Sequence, residues 1–271
     1  MTGGHPTPVL YGVSLGPGDP GLITRRAYDL LQRDACWTYP VRKKKSDSYA
    51  LSIALAAGIA LPKEHYPLVF PMTHDVDILQ GYWLRAAEQV LQIMASGRDV
   101  VFLVEGDAST YSTFGHLART VRALHKDVSI ETVAGVSSYH AAAARLDMPI
   151  ADVDDTVAIV PAGYGITELD AMLDRVDTLI LLKVKPLLNE IIDWLQSRHL
   201  VAHAAFVEKA GSDEERVITD ISLLREQKVN YLSLILVRNP NRQRGEMIRG
   251  CRQKGGQDVF ASATTKSALS V

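Results

Sequence analysis

Short apolar runs alternate along the chain with longer stretches whose apolar residues recur every three or four positions, the pattern of strands and helices in an α/β protein. Strands are predicted at 9–15, 35–39, 100–104, 128–133, 157–161, 178–184, 204–208 and 231–237. Helices are predicted near 22–34, 47–57, 77–96, 114–125, 138–146, 168–175 and 187–197. The longest carries Leu79, Trp83, Ala86, Ala87, Val90, Leu91 and Met94 on one stripe, with Gly97 placed to stop it. Pro149 and a cluster of aspartates break the periodicity at 147–156, which puts a boundary near 150 between an N-terminal α/β domain, 1–149, and a C-terminal one, 150–240. Beyond 240 the periodicity is lost, and 241–271 is expected to be a flexible tail.

Composition narrows the classes. With 47% apolar and 22% charged residues over 271 positions, the chain has the makeup of a globular protein with a sizeable core, which excludes disorder, collagen and coiled coil. A net charge of −2 gives no field for gripping a polyanion, so neither nucleic acid nor a membrane surface is an expected partner. The longest apolar stretch, 51–61, is far short of the roughly 20 residues of a membrane span, and the first ten residues lack a signal pattern. Cys36 and Cys251 are too few for a disulfide scaffold or a thiolate metal site, and a cytoplasmic setting is the economical one. His5, His65, His74, His125, His199 and His203 share no metal-ligand spacing, and His140 reads as packing, so no metal site is expected.

Candidate chemistry lies at three strand-to-helix junctions. The first, GVSLGPGDPG, fits G-x-G-x-x-G through Gly16, Gly18 and Gly21, but Pro17 and Pro20 remove amide donors that a pyrophosphate would need. Asp19-Pro20 also reads as a helix cap and first-turn pair. No ribose-binding acid follows the second strand, so only an NADP-dependent oxidoreductase reading survives from this motif, through Arg42, Lys43, Lys44 and Lys45. The second junction, Glu105-Gly106-Asp107, leads into a small hydroxylic run, with Ser112 or Thr113 as a candidate cap, and the third is Ala134-Gly135-Val136-Ser137-Ser138. Three such junctions after neighbouring strands suggest one pocket floored by loop backbones.

The runs GVSLGPGDPGLIT, VEGDASTYSTFGHLA and VAGVSSYHAAAARLDMPIA together resemble the tetrapyrrole methyltransferase superfamily, and within it the (cobalt-)precorrin-2 carbon-20 methyltransferases of the corrin pathway. The resemblance covers roughly 9–238. It implies two α/β domains with S-adenosylmethionine in the cleft between them, S-adenosylhomocysteine as product, and a homodimer. Carried over by position, cofactor contacts fall on Pro17, Asp107, Thr110, Ser137, Ser138, Leu182, Lys183, Lys209 and Ala210. Two positions depart from the pattern: Ala108 stands where most members have proline, and Pro40 falls near an aspartate of the uroporphyrinogen methyltransferases, so no base is inherited from them. For the proton that the methylated ring must lose, Tyr111, His116, Glu105 and Tyr139 are candidates, with solvent an alternative. A carboxylate-rich macrocycle calls for cations, with Arg42, Lys43, Lys44 and Lys45 first and Arg85 and Arg145 next; a solvated loop is the other reading of the run. A non-catalytic regulator binding the same ligands remains a third reading.

Overall fold

A computed structural model of the chain describes residues 7–73, 75–243 and 245. His5, His74, Cys251 and nearly all of the expected tail lie outside the described residues. Two five-stranded sheets carry the fold.

In the first sheet, β1 (Val9–Ser14), β2 (Cys36–Val41), β3 (His65–Val69), β4 (Val100–Val104) and β5 (Ser129–Val133) run parallel in the order β3-β2-β4-β1-β5. Alternation along the buried strands sends Tyr11, Val13, Val101 and Leu103 to one face, against α1 (Arg25–Leu31) and α2 (Tyr49–Ala56). Leu10, Val100, Phe102 and Val104 face the other way, onto α3 (Val76–Ala95) and α4 (Thr113–Leu124). On that side Gly12 is required by space, since a Cβ there would sit 2.3 Å from the Phe114 ring. From β1 the chain leaves toward β2 and from β4 toward β5, opposite edges of the sheet, which opens a crevice at the strands' carboxyl ends.

α5 (Ser138–Arg145) follows β5 and leads to the second sheet, β6 (Val157–Pro161), β7 (Thr178–Leu182), β8 (Ala204–Glu208), β9 (Arg216–Ile218) and β10 (Ser233–Arg238), in the order β6-β7-β10-β8-β9. Its outer face, with Leu179, Leu181, Phe206 and Ile235, packs on α6 (Ile166–Leu173) and α7 (Leu188–Ser197). The inner face presents Ile180, Val207, Leu234 and Leu236 to Tyr139, Ala142 and Ala143 of α5. One helix of the first half is thus part of the second half's core.

The expected first helix is divided. Asp19 accepts a hydrogen bond from the Gly21 amide at 2.7 Å and heads a short 3-10 turn, Pro20–Leu22; Ile23 is extended, and α1 starts at Arg25 under the Thr24 hydroxyl. Gly97, at φ 85°, follows the end of α3 as expected. Two strands escape the apolar pattern, β3 and β9, the first an edge strand containing Pro67 and the second only three residues long.

Candidate active site

The carboxyl ends of β4, β1 and β5 are adjacent, and their loops are tied together. Gly16 and Gly106, at φ 77° and 71°, exchange backbone hydrogen bonds of 3.2 and 2.7 Å. Fully buried Ser14 donates to the Val133 carbonyl at 2.5 Å and accepts from the Ala108 amide at 2.8 Å, so one hydroxyl fixes all three junctions. Gly135 lies against this hydroxyl's Cβ so closely that its own Cβ would be 2.3 Å away. Asp107 completes the frame: one carboxylate oxygen accepts from the Ser109 amide at 2.9 Å and from its hydroxyl, the other from the Gly135 amide at 2.8 Å. Partial burial raises the pKa of this carboxyl, and the hydrogen bonds from Ser109, Gly135 and Thr110 outweigh that and hold it below its ordinary value.

From the second sheet come Leu182 and Lys183 after β7, Lys209 and Ala210 after β8, and Tyr231 and Leu232 before β10. Lys183 and Lys209 have left-handed backbones, φ 57° and 50°, and so does Tyr111 in the β4 loop, φ 50°. A non-glycine residue holds such a conformation at a cost of about 1–3 kcal/mol, which is tolerated mainly where a site demands it. Here the Lys183 and Lys209 amides turn back to donate to the Ser233 and Leu232 carbonyls at 3.0 and 2.8 Å. The halves also touch directly. The Tyr111 hydroxyl donates to the Ile159 carbonyl at 2.8 Å, and a Cβ on Gly18 would lie 2.9 Å from the Ser212 amide and 3.0 Å from the Ala210 carbonyl.

Between them lies a cavity of about 610 Å³, a volume in the range of small-molecule sites. Pro17, Asp107, Thr110, Ser137, Ser138, Leu182, Lys183, Lys209 and Ala210 all line it. Ser137 heads α5 without capping it; its hydroxyl makes no hydrogen bond among the described residues, and the residue lines the cavity. Glu105, Tyr111 and Tyr139 line the same space. Glu105 reaches into it from the end of β4, exposed to the cleft yet enclosed by protein; enclosure pushes its pKa up, against the lowering charges of Arg42 and Lys183. His116 is elsewhere. Its ring stacks on Trp83 with centroids 4.9 Å apart, and burial and the Arg119 cation lower its pKa.

The expected cations divide in the same way. Arg42 lines the cavity. Lys43, Lys44 and Lys45 stand exposed in a turn outside it, where Ser46 closes the backbone onto Lys43. Arg85 lies on α3 with its guanidinium 4.3 Å over the Tyr82 ring. Arg145, the last residue of α5 and so about 10 Å along that helix from Ser138, pairs with Glu215 at 2.7 Å. Among the described residues no group of His, Cys, Asp and Glu side chains is arranged to hold a metal, and no helix is long and apolar enough to cross a membrane.

The sequence from 9 to 224 matches the model of the Tetrapyrrole (Corrin/Porphyrin) Methylases. The chain belongs to that family. Among its relatives, a probable cobalt-precorrin-2 C(20)-methyltransferase of Methanocaldococcus jannaschii is 32% identical over 84% of this chain and 95% of its own. A precorrin-2 C(20)-methyltransferase of a Sinorhizobium species is 27% identical over 84% and 94%. In fold, this methylase is similar to the uroporphyrin-III C-methyl transferase of Thermus thermophilus solved with S-adenyl homocysteine, with TM-score 0.57 and 23% identity over 84% of this chain and 96% of that one.

Several of the methylase's cavity residues carry no motif. Phe70 and Met72 follow the edge strand β3, Tyr49 lies in the first turn of α2, and Asn230, Tyr231 and Leu232 precede β10. The last three reach the site because β10 runs antiparallel to β7 and β8, so that its amino end meets their carboxyl ends.

Proposed function

We propose that this methylase transfers the methyl group of S-adenosylmethionine to carbon 20 of precorrin-2 or cobalt-precorrin-2, releasing S-adenosylhomocysteine, as a step of cobalamin biosynthesis. One observation carries the reading: every residue that the family resemblance assigns to the donor lines a single cavity built from both sheets. The names of the Methanocaldococcus and Sinorhizobium relatives support the same acceptor class, one with cobalt and one without.

S-adenosylmethionine supplies an electrophilic methyl group on a cationic sulfur. The residues present suit such a ligand. Leu182, Val207 and Ala210 offer apolar wall, Thr110, Ser137 and Ser138 offer hydroxyls, and Asp107 offers negative charge. Most of the rate then comes from alignment, which in well-oriented systems supplies about 7–11 kcal/mol. The reading takes residues 1–149 as the macrocycle side and 150–240 as completing the donor pocket of a cytoplasmic homodimer.

The NADP reading loses support at the glycine loop, where Pro17 brings no amide and its carbonyl accepts from the Tyr49 hydroxyl at 3.1 Å. Calorimetric titration separates the two: S-adenosylhomocysteine binds near one per chain and NADPH does not. Tight NADPH binding without an S-adenosylhomocysteine signal refutes the proposal. A regulator would bind the donor without turning over.

Arg42 is the cation assigned to the macrocycle's carboxylates. Arg42→Ala is expected to raise the Michaelis constant for the tetrapyrrole about 10- to 100-fold, the scale of a lost charged hydrogen bond. Replacing Lys43, Lys44 and Lys45 together by alanine is expected to leave it near the wild-type value. Steady-state kinetics at fixed donor checks both.

A further inference from the structure

We propose that Glu105 is the base that takes the proton from the methylated carbon. The inference rests on the methyltransferase reading and deepens it. The four candidate acceptors differ in what their polar atoms already do. The Tyr111 hydroxyl is committed to the Ile159 carbonyl at 2.8 Å. Tyr139 lines the cavity too, but its ring is packed against the inner face of the second sheet, and it offers a phenol rather than a carboxylate. His116 is outside the cavity, stacked on Trp83 and hydrogen-bonded to Arg119 at 3.1 Å. Glu105 lines the cavity, and among the described residues its carboxylate has no hydrogen bond and no ion pair within contact distance.

Of the other carboxylates that line the cavity, Asp107 has both oxygens held by Ser109 and Gly135, and Asp47 stands exposed beside the Ser48 cap of α2, whereas Glu105 directly follows the central strand β4. The position of Glu105 is itself fixed, because it lies between the last residue of β4 and Gly106, whose backbone is locked to Gly16. The charges facing it are Arg42 from the end of β2 and Lys183 from the end of β7, with the Tyr49 hydroxyl on α2 also within its field. Loss of solvation raises its affinity for protons above that of an ordinary glutamate, the direction that favours a general base.

The step balances without another reactant. The acceptor carbon bonds to the methyl group as the S–CH3 bond breaks, with that electron pair staying on sulfur, and the macrocycle takes up the positive charge. The C–H bond at the same carbon then breaks, its pair restores the macrocycle's conjugation, and the proton passes to Glu105 and on to solvent.

The test is single-turnover formation of the methylated and deprotonated macrocycle, followed by its absorbance, by the full chain without oxygen, with protium or deuterium at carbon 20 of precorrin-2, across a range of pH. Wild type should show an acidic limb that lies above pH 4.5, the ordinary value of a glutamate. Glu105→Gln should bind S-adenosylhomocysteine as wild type does, lose that limb and turn over on the order of 10²–10⁴-fold more slowly. Its rate should fall further with deuterium, and Glu105→Asp should recover part of the loss. A Glu105→Gln rate and pH profile equal to wild type overturns the assignment, as does a fall in donor affinity large enough to account for the whole rate loss. Absence of transfer by wild type is distinguishable from both, and contradicts the methyltransferase reading itself.

Discussion

Asp107→Ala is expected to weaken S-adenosylhomocysteine binding about 10- to 150-fold, the loss of ~1.5–3 kcal/mol that accompanies removal of a charged hydrogen-bond acceptor. The side chain holds the amides of Ser109 and Gly135, at 2.9 and 2.8 Å, and so ties the second loop to the third. Without it the Gly135 amide loses its partner, and the loop that carries Ser137 and Ser138 into the cavity is free to shift. Charge matters as well as shape. The Asp107 pKa lies below its ordinary 3.8, so its contribution is complete above that value and is lost as pH falls through the depressed one. Titration calorimetry on Asp107→Ala and Asp107→Asn checks this; unchanged affinity in both removes Asp107 from the site.

Gly18→Ala is expected to cost the protein about 1–3 kcal/mol of stability, the usual range for overpacking, and to reduce donor affinity in parallel. The added Cβ would meet the Tyr49 hydroxyl at 2.7 Å, the Ser212 amide at 2.9 Å and the Ala210 carbonyl at 3.0 Å. Two of the three are backbone atoms of the loop after β8, which cannot step aside as a side chain does. The first glycine loop must therefore move away from Ala210, a residue of the cavity wall. Urea denaturation together with S-adenosylhomocysteine titration reads both effects. Gly21→Ala is the comparison, since a Cβ there comes no closer than 3.1 Å, and only to the Asp19 side chain.

Much of this site is legible in the amino-acid sequence, for a physical reason. The ends of β4, β6 and β8 coincide with the predicted runs because each is a short apolar segment bounded by turn residues. Small and hydroxylic residues after adjacent parallel strands mark a crevice whatever the fold's details, and the loops after β1, β4 and β5 do meet. What the sequence hides depends on strand direction and on backbone conformation. The apolar pattern puts Tyr231 inside a strand, whereas β10 begins at Ser233 and leaves Tyr231 in the loop that lines the cavity. The left-handed backbones of Tyr111, Lys183 and Lys209 carry no glycine to announce them. The fold divides the basic run. Four consecutive cations look like one binding feature, yet only Arg42 lies at the cavity while the three lysines turn to solvent.

The cavity, the loops that build it and the assigned roles meet in one claim, that a methyl group leaves sulfur for carbon 20 of a reduced tetrapyrrole. Anaerobic incubation of the protein and S-adenosylmethionine with metal-free precorrin-2 and, separately, its cobalt complex tests this directly, with the new methyl carbon located by NMR. The account predicts one methyl group added at carbon 20 of at least one of the two macrocycles, matched by S-adenosylhomocysteine release. Failure to methylate either macrocycle, in a preparation that binds S-adenosylhomocysteine, or methylation at a different carbon, would contradict it.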